Sequence, residues 1–123
     1  MSDTLKDSHG AEVTVDLDEA GQAYVIRVDS GQVAGRAHFI AGPDATERIF
    51  YHTVIDEEFS GRGLSSTLVA QALTDSRQKG ITVVPVCPLF VKKLQQTGDD
   101  YRSEGGQFRN ATTTDFDLVK RNA

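Results

Sequence analysis

The chain has no tryptophan, one methionine, one cysteine and three prolines. A single cysteine cannot close an internal disulfide, so a reducing compartment is expected and one thiol, Cys87, is left to account for. No stretch approaches the roughly 20 apolar residues of a spanning helix. Met1 to Gly10 is polar without the apolar run of a secretory leader, so a cytoplasmic location is expected. Positive charge is also short, with 13 Lys and Arg against 18 Asp and Glu and a net charge of -5. Such a surface repels phosphate backbones and anionic lipid, which argues against nucleic acid or a membrane as the main partner. The three histidines and the cysteine lack ligand spacing, so no metal is expected, and Ser60 and Ser65 lack the Gly-x-Ser-x-Gly frame of a serine hydrolase.

What is present is material for one core. A chain of 123 residues that is 38% hydrophobic is sufficient for one domain and too short for two independent ones. Residues 1–10 read as a flexible lead-in with only Leu5 to bury, and 11–123 as the domain. Val13, Val15 and Leu17 alternate with polar residues, as does the run from Ala23 to Val28, which predicts a hairpin. Asp29-Ser30-Gly31 is a turn into a third strand, Gln32 to Ile40, and Gly42-Pro43-Asp44 ends it. Arg48 to Ile55 is rich in aromatic and β-branched residues and predicts a central fourth strand.

The period then changes. Leu64, Leu68 and Ala72 fall on one line with Val69 and Leu73 beside it, predicting a helix over 63–79 that Gly80 ends. Ile81 to Val86 predicts a buried fifth strand. Pro88 opens a second helix over 89–96 that Gly98 would stop. Residues 97–107 read as polar loop, carrying Tyr101, and Thr113 or Thr114 as the cap of a short last helix over 115–121. Lys92 with Lys93 and Asp99 with Asp100 read as solvated faces, and His9 and His38 as surface or packing residues. The expected fold is α+β: a four-strand antiparallel meander, a long helix, a fifth strand parallel to the fourth, and a second helix.

Ser60-Gly61-Arg62-Gly63-Leu64-Ser65-Ser66 lies where the fourth strand hands over to a helix. Unpaired N–H groups and the positive helix end can hold a phosphate there, with Arg62 and the two serine hydroxyls as further donors. The glycines serve a plain tight turn equally well. The Gly-Lys-Ser/Thr ending of a triphosphate loop is absent, as is the strand order of a dinucleotide fold.

This loop resembles motif A of the GNAT superfamily of N-acetyltransferases, in which an Arg or Gln, two free residues, a Gly, one free residue and a Gly or Ala bind the CoA pyrophosphate. Ser60, Gly63 and Ser65 align with it, and only Gly63 matches strictly. His52-Thr53, Asp56-Glu57-Glu58, Phe59 and Val84-Pro85-Val86-Cys87-Pro88 are similar to the short single-domain members. These members usually carry an acid directly after the His-Thr pair, where this chain has Val54.

The resemblance implies acetyl transfer from acetyl-CoA to an amine, or CoA binding without efficient turnover, by a monomer or weak dimer. It implies a fourth and fifth strand that splay apart, with the pantetheine arm pairing with the backbone of Val54 and Ile55. The thioester then reaches Cys87. A cysteine at a helix N-terminus has the setting of an acyl acceptor, although a lone cysteine is most often a small core residue. His52 is the candidate proton acceptor, with Tyr101 a weaker one.

Overall fold

The computed structural model describes residues 5–6, 10, 12–28 and 30–122. Its sheet has seven strands in chain order: β1 (Leu5–Lys6), β2 (Glu12–Asp18), β3 (Ala23–Val28), β4 (Val33–Ala41), β5 (Glu47–Ile55), β6 (Thr82–Pro85) and β7 (Gln107–Phe108). The helices are α1 (Leu64–Gln78), α2 (Pro88–Ser103) and α3 (Thr113–Asn122). Neighbours from β1 to β5 are antiparallel, whereas β6 runs parallel to both β5 and β7. The expected meander, long helix and parallel strand are therefore present as β2–β5, α1 and β6. The two edge strands were not expected. Leu5–Lys6, inside the expected lead-in, pairs with Val13 and Glu12, and Leu5 packs on the core. Apart from these two residues and Gly10, that lead-in lies outside the described residues.

Helices α1 and α2 cover one face of the sheet. The α1 stripe of Leu64, Leu68, Val69, Ala72 and Leu73 packs with Tyr24, Ile26, Phe39 and Phe50, and Phe90 of α2 stacks on Phe50 at 4.4 Å between centroids. Burying each such side chain contributes about 1.5–3 kcal/mol, which is what holds the helices to the strands. The stripe ends on a polar residue. Ser76 is fully buried, and its hydroxyl donates to the Ala72 carbonyl at 2.8 Å. On the opposite face Leu118 and Val119 of α3 pack against Ile40, Ile49 and Val84.

Helix α2 does not stop at Gly98. It continues to Ser103, because Gly98 is the place where Phe108 comes against the helix: a Cβ there would lie 2.8 Å from Cζ of that ring. Tyr101 is therefore a helix residue rather than a loop residue. It is buried, and its hydroxyl donates to the Leu73 carbonyl at 2.8 Å. The cap of α3 also differs. Asp115 accepts the amide and hydroxyl of Thr112 at 2.7 and 3.0 Å, one residue before the expected caps. The same carboxylate is clamped by Arg109, which also reaches Glu47 of β5 and so ties the C-terminal segment to the sheet. Among the described residues no helix is long and apolar enough to cross a membrane.

Candidate functional site

Strand β5 runs to Ile55, but its ladder with β6 ends at Phe50 and Pro85. Proline has no N–H to continue a ladder. The next two amides, of Val86 and Cys87, both donate to the Phe50 carbonyl at 2.9 and 2.8 Å, so the chain turns away into α2. Beyond Phe50, β5 keeps only β4 as a ladder partner, and a wedge opens on its other edge. A β-bulge lies at the apex: His38 faces His52 while Phe39 faces Phe50, which leaves Tyr51 as the extra residue.

Backbone groups of an antiparallel strand alternate between its two neighbours. The Asp56 amide donates to Ala34 of β4 at 2.8 Å, and the Val54 carbonyl lies 2.5 Å from where a Cβ on Gly35 would stand. Val54 thus belongs to the β4 side, and Thr53 and Ile55 turn their backbone groups to the wedge. Of the two residues expected to offer backbone to a ligand, Ile55 turns its groups to the wedge and Val54 turns its groups to β4, while Thr53 faces the wedge as well. The Val54 side chain is 41% exposed on the face away from α1 and α2.

A single 3-10 turn, Glu57–Phe59, connects β5 to the glycine loop at the open end of the wedge. Gly61 and Gly63 have φ of 81° and 71°, a left-handed conformation that side chains disfavour. Gly63 is the N-cap of α1, which has neither a side-chain cap nor an acidic residue in its first turn. The first N–H groups of the helix, from Leu64, Ser65 and Ser66, have no carbonyl within the helix to bond. A Cβ at Gly61 would meet nothing within 4 Å, so the loop backbone is open to close approach. Arg62 lies over the Phe59 ring, 5.5 Å from its centroid. Ser60 is extended and its amide donates to the Glu57 carbonyl.

Cys87 sits at the apex. It is the N-cap of α2, 3% exposed, with its Sγ 3.4 Å from the Thr53 hydroxyl. His52 is exposed on the other face of the sheet, its ring stacked on His38 at 6.2 Å. The two residues expected to share the chemistry are thus separated by the sheet. His38 is held below the usual histidine range, first by burial and then by the neighbouring His52 and Arg36. Tyr101 is committed to the core, and burial pushes its hydroxyl up to about 12.

A wedge between two parallel strands, opening onto a glycine loop and a bare helix N-terminus, is the arrangement the motif A resemblance requires. The family model described as GCN5-related N-acetyl-transferase matches residues 23–104, from the first residue of β3 to the cap of α2. The chain belongs to this family. A solution structure of a GCN5-like candidate N-acetyltransferase from Staphylococcus aureus shares the fold, with a TM-score of 0.52 and 17% identity over 80% of this chain and 90% of that one. No curated protein matches the chain.

Acetyl-CoA is the donor used by this N-acetyltransferase family, and the residues present fit it: free first-turn donors and an open glycine for the pyrophosphate, and the Thr53 and Ile55 backbone for the amide-bearing arm. Beside the loop lies a groove of about 230 Å³ between α1 and α2, lined by Ser65, Ser66, Val69, Leu89, Lys92, Lys93 and Gln96. Lys92 and Lys93, expected as a plain solvated face, are two of its walls. Their helical spacing carried no sign of this, because the groove exists only once α2 is docked on α1. Among the described residues no group of three or more His, Cys, Asp or Glu is arranged to hold a metal ion.

Proposed function

We propose that this GNAT chain transfers the acetyl group of acetyl-CoA to an amine on a small molecule, a lysine side chain or an N-terminus. The observation that carries the reading is the parting of β5 from β6 after Phe50, with donors at its open end and Cys87 at its apex. The loop from Ser60 to Ser66 holds the pyrophosphate with backbone N–H groups and hydroxyls, supported by the helix dipole. Thr53 and Ile55 pair with the arm as an added strand. The thioester carbonyl then lies at the apex, beside Cys87 and Thr53.

In direct transfer the neutral amine attacks the acetyl carbonyl carbon, a C–N bond forms, the C–S bond breaks, and the CoA sulfur leaves as thiolate and takes up a proton. An amine that approaches from the open face of β5, opposite Cys87, loses its ammonium proton to His52 there. A β5 amide facing the wedge steadies the oxyanion. Cys87 supports a two-step route as well. Its sulfur would take the acetyl group, its thiol proton would pass to the departing CoA sulfur, and the amine would attack the new thioester.

A second reading, CoA binding without efficient turnover, is favoured by one observation: the polar group beside Cys87 is the Thr53 hydroxyl, while His52 faces the other way. Titration with acetyl-CoA, followed by thermal melting and intact mass, separates these readings. A ligand of the native state raises the melting point with concentration. Added acetyl mass that Cys87→Ala abolishes supports the two-step route. Release of free CoA thiol on adding an amine, without protein-bound acetyl, supports direct transfer. A melting shift with neither leaves a CoA-binding protein, and no shift at millimolar ligand overturns the acyl-CoA reading.

A further inference from the structure

The groove between α1 and α2 gathers positive charge in an acidic protein. Lys92 is exposed and Lys93 half-buried, and neither is in an ion pair among the described residues. Both stand beside Ser65 and Ser66, in the first turn of α1, where the helix dipole adds further positive potential. No carboxylate lines the groove, although the chain carries a net charge of -5. Lys93 also borders the adjoining groove that holds Asp100 and Glu104, but no ion pair among the described residues ties either lysine down, so two like charges share this groove and an anion that enters relieves their repulsion.

The walls are not only cationic. Val69 forms an apolar part of the lining, Leu89 is 41% exposed, and Gln96 offers an amide with two donors and an acceptor. An apolar wall, an amide and two cations suit a phosphorylated nucleoside better than a bare inorganic anion. At about 230 Å³ the groove is below the range of about 300–1,000 Å³ for whole small-molecule sites, which fits one compartment of a longer ligand. It adjoins the loop proposed to hold the pyrophosphate, through Ser65 and Ser66.

We propose that Lys92 and Lys93 bind the phosphomonoester on the ribose of the nucleotide end of CoA, so that this chain discriminates for donors bearing a 3′-phosphate and against carrier-linked or dephosphorylated ones. This rests on the acyl-CoA reading above. Two lysines on one helix turn give point-charge recognition of a phosphate without the fixed fork of arginine. A donor attached to a carrier protein by pantetheine phosphate has no nucleotide to fill the groove and forfeits these contacts.

The test is calorimetric titration of the full chain with CoA and with 3′-dephospho-CoA, for wild type, Lys92→Met/Lys93→Met and Lys92→Arg/Lys93→Arg, with melting curves to confirm folding. Wild type is expected to prefer CoA about tenfold, as two partly exposed charge contacts allow. The methionine pair is expected to lose that preference while keeping its affinity for dephospho-CoA, and the arginine pair to retain it. Raising salt from 50 to 500 mM should shrink the wild-type preference. Equal binding of both ligands by wild type, or a preference that survives the methionine pair, overturns the proposal and leaves the acyl-CoA reading standing. Failure of wild type to bind either ligand overturns both.

Discussion

The Thr53 hydroxyl lies 3.4 Å from the Cys87 sulfur, across the apex of the wedge between β5 and β6. Thr53 precedes the strand residue that the motif resemblance singled out, and Cys87 begins the helix after the next strand. Their contact closes the side of the wedge that faces α1 and α2. A thiol 3% exposed in this corner reacts only when the apex opens. Labelling of the native protein with iodoacetamide is expected to be on the order of a hundredfold slower than in denaturant. Equal rates would place the thiol at the surface.

Gly61 has a positive φ and open space where a Cβ would stand. Gly61→Ala therefore meets no clash and costs only conformational strain, about 1 kcal/mol or a few degrees of melting temperature. On the proposed function, the same Cβ would project toward the pyrophosphate held by the loop. The melting shift produced by acetyl-CoA is expected to fall far more than the intrinsic stability does. Loss of intrinsic stability with the ligand shift unchanged would make this glycine a turn residue only.

Gly98 tests a contact rather than a conformation. Alanine is the better helix former by about 1 kcal/mol. Yet its Cβ would come 2.8 Å from Phe108, whose ring also lies under Arg102 with its guanidinium carbon 4.0 Å from the centroid. Gly98→Ala is expected to destabilise by about 1–2 kcal/mol, the usual scale of overpacking. Phe108→Leu in the same chain should recover part of the loss, a coupling that denaturant curves of the double-mutant cycle would show.

The Arg109 guanidinium beside Asp115 holds that carboxyl down to about 2, with the Thr112 amide and hydroxyl assisting. A carboxyl depressed below its unfolded value of 3.8 stabilises the fold above that pH, and the contribution is lost as pH falls toward 2. Asp115→Asn is expected to lower stability by about 1–3 kcal/mol at pH 7, where it leaves the half-buried Arg109 guanidinium without its buried carboxylate partner, and by much less near pH 2. Urea unfolding at pH 7, 4 and 2 measures the difference.

His38 offers a second pH handle. Its ring faces His52 and Tyr51 of β5, with Arg36 on its own strand and Asp18 of β2 in the same cross-strand row. Because burial, His52 and Arg36 all lower its titration, folding favours its neutral form. That contribution is complete above the unfolded value of 6.5 and declines as pH falls below it. Histidine ring resonances followed by NMR should give His38 a midpoint below 6.5, and His52→Asn should move it upward. An unmoved midpoint would mean that the stacked pair is not electrostatically coupled.

Much of this was legible along the chain because it is local. The strand from Arg48 to Ile55, the α1 stripe, the glycine handover and the proline at the start of α2 each depend on residues a few positions apart. Their periods and breakers act before any tertiary contact forms. The family resemblance rests on the same local run.

What only the tertiary structure decided turns on register and docking. One extra residue, Tyr51, sets which β5 amides face the wedge, and nothing in the alternation of Arg48 to Ile55 reveals a bulge that exists only against β4. The same register puts His52 and Cys87 on opposite faces of the sheet. Gly98 read as a stop because a glycine without its neighbour is a helix breaker, and the ring of Phe108 that requires it arrives from beyond the end of α2. Lys92 and Lys93 read as solvent-facing for the same reason: the wall they form faces α1, more than 20 residues earlier, and becomes a groove only when the two helices pack.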